Sequence, residues 1–140
     1  MKPEESMLSG KILVMHRYDR NTIRSMPDAL FVFGDNMARV GYGGQAAAAR
    51  GEPNSVGIPT KMHPSVYLFD KDFYDAKKPI VQAFVILARH LTQGKDIVWP
   101  ADGVGTGLAR LPETAPQIFA AIERCKQGLF SMAKEVIVYH

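Results

Sequence analysis

At 140 residues and 15.5 kDa the chain has room for one core, since two independent cores would each be undersized, and residues 1–140 read as a single domain. A make-up of 46% hydrophobic and 22% charged residues excludes wholesale disorder, a collagen-like rod and a low-complexity tail. The formal charge of +3 arises from 17 basic against 14 acidic residues spread along the chain, so it permits an anionic partner without pointing to one.

The dense apolar stretch from Ile80 to Leu91 is interrupted by Gln82, Arg89 and His90 and falls short of the roughly 20 residues that span a bilayer. Met1-Lys2-Pro3-Glu4-Glu5-Ser6 is acidic where an export signal is basic, so the expectation is a cytoplasmic protein with no membrane partner. A single cysteine, Cys125, rules out an internal disulfide and falls in an apolar helical pattern. The histidines His16, His63, His90 and His140 are dispersed, and no motif calls for a metal or a cofactor.

In chain order, Ile12-Leu13-Val14-Met15 after Gly10 predicts a first buried strand. A polar stretch over 17–28 follows, with Pro27 arguing against a helix through it. Leu30-Phe31-Val32-Phe33 predicts a second strand that ends at Gly34-Asp35-Asn36. Gly41-Tyr42-Gly43-Gly44 then leads into Gln45-Ala46-Ala47-Ala48-Ala49-Arg50, a predicted helix ended by Gly51. Val56-Gly57-Ile58-Pro59 predicts a short strand running into Thr60-Lys61, and 72–78 is polar and aromatic. From Pro79, the spacing of Ile80, Phe84, Leu87 and Leu91 predicts a buried helix that Gly94 ends. Ile97-Val98-Trp99-Pro100 predicts a strand leading into 101–107. Pro112-Glu113-Thr114 opens a helix whose apolar positions Ile118, Phe119, Ile122 and Cys125 keep helical spacing up to Gly128, and 135–139 is a terminal strand. Near-continuous apolar strands alternating with helices predict an α/β fold, a three-layer α/β/α sandwich with a mainly parallel mixed sheet.

Ligands in open α/β sheets collect at the carboxyl ends of strands. Three such ends carry chemistry: Gly34-Asp35-Asn36 with Gly41, Gly43, Gly44 and Gln45; Thr60-Lys61; and Asp102-Gly103-Val104-Gly105-Thr106-Gly107. Glycines let backbone amides approach an anion, and a following helix N-terminus adds partial positive charge, so the pair of loops suits a diphosphate. Neither loop matches the Gly-Lys-Ser/Thr ending of a P-loop or the dinucleotide fingerprint, which argues against an NTPase or a dehydrogenase. Phe69, Phe73 and Tyr74 are candidates to stack on a base.

The run Leu30 to Asn36 followed by Gly41 to Ala46 resembles the stretch of macro domains in which a strand ends in asparagine and a glycine loop opens a helix, and Gly103 to Gly107 resembles their second phosphate loop. Phe33-Gly34-Asp35-Asn36, Arg50-Gly51-Glu52-Pro53-Asn54, Ile58-Pro59-Thr60-Lys61 and Gly105-Thr106-Gly107-Leu108-Ala109 together are similar to an uncharacterised family of bacterial and phage proteins related to macro domains. That resemblance implies a macro domain-like fold that binds ADP-ribose or an NAD-derived nucleotide. As an ADP-ribosyl hydrolase acting on ADP-ribosylated protein or nucleic acid, it would cleave at the distal ribose C1″. Lys61 matches a lysine that attacks the distal ribose in one branch, with Asp102 or Asp35 as acid or base; Asn36 would bond the distal ribose and Asp19 the adenine amino group. In the same branch an aspartate follows the second loop, where this chain has Ala109. The alternatives are a non-catalytic nucleotide sensor or sponge in conflict between phage and bacterium, and a nucleic-acid-binding protein. Oligomeric state is not legible.

Overall fold

The structure is a computed structural model that describes residues 8–140; the acidic stretch 1–6 lies outside the described residues. The apolar runs form β1 (Ile12–Met15), β2 (Leu30–Asn36), β3 (Ser55–His63), β4 (Val66–Tyr67), β5 (Ile97–Pro100) and β6 (Val136–Val138). They make one six-stranded sheet in the order β4-β3-β2-β5-β1-β6. Every neighbouring pair is parallel except β3 with β4. Between the strands lie α1 (Arg20–Ser25), α2 (Ala46–Ala49), α3 (Phe73–Thr92), α4 (Leu111–Thr114) and α5 (Pro116–Met132). The chain is an α/β protein with a mostly parallel mixed sheet.

Alternate residues of a strand feed opposite faces of the sheet. Ile12, Val32, Ile97 and Trp99 pack with Ile80, Leu87 and Leu91 of α3 and Ile118 and Ile122 of α5. Leu13, Phe31, Phe33 and Val98 pack instead with Ile23 of α1 and Ala46 and Ala49 of α2. Both faces are therefore covered, one by two long helices and the other by two short ones. Among the described residues, no helix is long and apolar enough to cross a membrane.

Several boundaries differ from the expectation, each for a reason in the packing. Helix α3 begins at Phe73 and carries Pro79 inside it. The buried Ala76 and the partly buried Phe73 join the same cluster as Ile80, and that burial offsets the cost of an interior proline. The 3-10 turn Asp70–Asp72 leads in, with the Asp72 carboxylate accepting the Phe69 N–H at 2.9 Å. The helix expected from Pro112 is broken at Ala115, whose φ of −145° and ψ of 69° leave the helical region, as the residue before a proline tends to do. Helix α5 then runs through Gly128 to Met132 because Leu129 is buried and Phe130 meets Trp99 edge-on at 5.5 Å. Strand β3 extends to His63, and the two-residue β4 is too short a run to read from pattern.

The chain leaves β2 toward β3 on one side and β5 toward β6 on the other. The elements that follow, α2 and the α4–α5 pair, pack on opposite faces. Since β2 and β5 are hydrogen-bonded neighbours, their carboxyl ends flank a topological switch point, the place where open α/β sheets leave a crevice.

Candidate functional site

A cleft of about 450 Å³ lies at this point, within the roughly 300–1,000 Å³ usual for small-ligand sites. Gly34, Asp35, Asn36, Gly41, Gly43, Gly44 and Gln45 line it from the β2 side, Asp102, Gly103, Gly105, Thr106 and Gly107 from the β5 side, and Thr60 and Lys61 from β3. The structure thus brings together most of the residues singled out in the sequence.

Two of them are elsewhere. Asp19 does not line the cleft; it caps α1, its carboxylate accepting the Thr22 N–H at 2.9 Å and the Thr22 hydroxyl at 3.0 Å, and these bonds hold its pKa below the usual aspartate value. The Val104 side chain is buried in the core beside Leu111 and Ile118. The aromatics Phe69, Phe73 and Tyr74 are also absent from the lining, while Tyr42, Arg50 and Leu108, none of them anticipated, belong to it.

At the carboxyl end of β2 the carboxylate of Asp35 is fully engaged. It is buried and accepts from Arg39 at 2.9 Å, from the Asn36 amide at 2.8 Å and from Arg50. An acid or base role at this position would require breaking a buried ion pair, which costs several kcal/mol. Gly57 of the adjacent β3 is necessary for this arrangement, because a Cβ there would lie 2.5 Å from Asp35 Oδ2. Arg50 also donates to the Gly41 and Val40 carbonyls, and its guanidinium lies 5.7 Å from the Phe33 ring centre. The side-chain amide of Asn36 donates to the Val40 carbonyl at 2.8 Å. These bonds turn carbonyls of the first loop inward, toward the strand end.

The two loops are joined by Gln45, whose Oε1 accepts the Gly34 N–H at 2.6 Å while its Nε2 donates to the Gly103 carbonyl at 2.9 Å. The second loop is held by its own backbone, through Gly103 N–H to Pro100 and Leu111 N–H to Gly105 at 2.9 and 2.8 Å. Gly105, at φ +80°, has no space for a side chain, since a Cβ would meet Leu111 at 3.0 Å and Thr60 at 3.2 Å. Among the described residues, the backbone amides over 41–45 and 104–109 have no protein acceptor. Arg39 and Arg110, the two non-glycine residues at positive φ among those described, stand one in each loop, where backbone strain commonly marks a functional site.

A register shift between β2 and β3 opposes Asp35 to Pro59 and Asn36 to Lys61, leaving Thr60 as the extra residue of a bulge. Thr60 is thereby turned inward and donates to the Asp35 carbonyl at 3.1 Å. Lys61 donates through Nζ to the Pro64 carbonyl and lies 5.5 Å from the Tyr67 ring centre. Asp102 is the carboxylate left free: its side chain is 79% exposed, and His16, at the end of the neighbouring β1, approaches it only to 3.9 Å. The charged side chains that line the cleft are Asp35, Arg50, Lys61 and Asp102, two of each sign, so it carries little net side-chain charge. The helices after the loops are single turns, so the helix-dipole contribution expected from the sequence is small. Attraction for an anion falls to the unpaired amides.

The segment 51–54 works behind the cleft. Glu52 accepts from Arg20 at 3.0 Å and Arg24 at 2.9 Å; burial opposes its ionisation, but the two guanidinium bonds outweigh that and lower its pKa. Asn54 donates to the carbonyls of Ile23, Met26 and Ala29 that close α1 and its exit turn.

Fold and site define an α/β protein with a ligand-sized cleft between two glycine loops at a switch point. A "Family of unknown function (DUF7831)" matches residues 13–125, and the chain belongs to that family. No curated protein and no solved structure matches it.

Proposed function

We propose that the cleft binds ADP-ribose or another NAD-derived nucleotide, on a fold of the macro domain kind, with the diphosphate against the amides of the two loops. The observation that carries this reading is the convergence of unpaired amides over 41–45 and 104–109 on one cleft at the switch point. Backbone amides without internal acceptors recognise phosphate oxygens without needing net cationic charge, which fits a lining whose side-chain charges nearly cancel.

Binding without turnover is the favoured form, a sensor or sponge rather than a hydrolase. Asp35 is committed to two arginines, Ala109 stands where similar enzymes carry an aspartate, and the Lys61 ammonium already donates to Pro64. Hydrolysis at C1″ would rest on Lys61 and Asp102 alone.

Calorimetry with ADP-ribose, NAD and inorganic pyrophosphate tests the reading. Saturable binding of ADP-ribose that weakens in Gln45→Ala, survives Lys61→Ala, and comes with no release of ADP-ribose from modified protein or DNA supports a non-catalytic binder. No heat at millimolar ligand overturns it. Turnover abolished by Lys61→Ala would establish the enzyme instead. DNA affinity that falls steeply with salt, with no nucleotide binding, would favour the nucleic-acid alternative.

A further inference from the structure

A second cavity, of about 240 Å³, opens between α3 and α5, away from the glycine loops. Helical spacing explains its shape. Phe73 and Ile80 of α3 face Ile118 and Cys125 of α5, at intervals that put each pair on one side of its helix, and the two helices do not close over them. The walls are apolar, and the titratable groups that line the cavity besides Cys125 are two cations, Lys77 from one helix and Arg124 from the other. No carboxylate lines it. Neither cation has a hydrogen-bond or ion-pair partner among the described residues.

The geometry points to a binding site for a small amphiphilic anion, a carboxylate on a short aliphatic or aryl tail, with the tail between α3 and α5 and the head between Lys77 and Arg124. Charge complementarity selects that class. An apolar pocket alone takes a neutral ligand as readily, but two unpaired cations brought to one apolar mouth from different helices favour a group that carries negative charge at one end and none along its body. The cavity has about half the volume of the cleft between the glycine loops, the scale of a medium-chain carboxylate rather than of a nucleotide. This site is independent of the nucleotide cleft.

Cys125 lines the cavity and is the chain's one cysteine, so its alkylation reports occupancy. Burial raises its pKa, and labelling is best run at mildly alkaline pH. Octanoate is expected to protect Cys125 from iodoacetamide saturably, octanol to protect at least about tenfold less well, and Lys77→Gln with Arg124→Gln to lose the difference between them. Both substitutions fall at the mouth rather than in the core, and Gln45→Ala, across the molecule, leaves protection unchanged. The inference is overturned if octanol matches octanoate, if octanoate gives no protection up to its solubility, or if protection appears with protein concentration alone, which would make the groove a contact between copies. It is equally overturned if only an acidic helical peptide protects.

Discussion

The two strand ends that form the cleft are built in opposite ways. At β2 a buried carboxylate holds two arginines, and one of these holds two loop carbonyls, so the first loop is fixed by side chains. At β5 the loop is fixed by glycine geometry and a few backbone bonds, and its carboxylate, Asp102, stands in solvent. Two aspartates that look equivalent in the sequence therefore divide the work: Asp35 is structural, and whatever freedom to meet a ligand the carboxylates retain is on the β5 side.

Substitution of each aspartate breaks that comparison most directly. Asp35→Ala leaves Arg50, largely but not fully buried, without its counter-ion and is expected to cost toward the lower end of about 3–5 kcal/mol, whereas Asp102→Ala is expected to stay within about 0.5 kcal/mol. Urea unfolding of both variants decides it. Equal losses would mean that the Asp35 clasp is not what holds the first loop.

A somewhat smaller effect is expected at Gly57. A methyl group there must displace the Asp35 carboxylate, for about 1–3 kcal/mol. In an Asp35→Ala background the carboxylate is gone and only the Cβ of residue 35, at 2.8 Å, still crowds the added methyl, so Gly57→Ala should then cost clearly less than in the parent. A double-mutant cycle measures that coupling, and additive losses would remove Asp35 as the reason for the glycine.

Gln45→Ala removes two hydrogen bonds, one to the Gly34 N–H on its own side of the cleft and one to the Gly103 carbonyl across it. With water able to reach the vacated partners, a loss toward the lower end of about 1–3 kcal/mol is expected. Its sharper consequence is in ligand affinity, because the two sets of amides are no longer held at a fixed separation. Affinity for ADP-ribose unchanged in Gln45→Ala would mean that the loops bind independently.

Much of this was legible in the chain, because strand signals are local. Runs such as Leu30 to Phe33 and Ile97 to Trp99 are apolar on both faces, and their carboxyl ends necessarily carry the glycine loops. The network was not legible. That Asp35 meets Arg39 and Arg50 depends on a loop doubling back with Arg39 at φ +58°, and that Gln45 spans to Gly103 depends on β2 and β5 being neighbours, which only the sheet order fixes. Asp19 illustrates the converse. Asp19 and Thr22 are three residues apart, the spacing of a helix N-cap and its target, so the local pattern suits a cap, and only the resemblance points toward a ligand. Arg50 and Glu52 were visible as parts of a motif of the resembling family, but the motif carries no role until Glu52 is seen gripping Arg20 and Arg24.

That grip gives the mildest of these predictions, and it extends the contrast beyond the cleft. Glu52 is held ionised by two guanidinium groups and its pKa is lowered in the fold. The unfolded chain then binds its proton more readily than the folded one, so the contribution of Glu52 to stability is present above the unfolded glutamate value near 4.3 and is lost as pH falls through the lower folded value. Glu52→Gln cannot titrate. Comparing the pH dependence of urea unfolding in the two proteins, the parent is expected to lose stability below about pH 4.3 more steeply than the variant, while above that value the difference between them stays constant. Parallel curves for Glu52→Gln and the parent would mean that Arg20 and Arg24 hold the side chain by packing alone, and that the first strand end owes its rigidity to Asp35 rather than to the segment behind it.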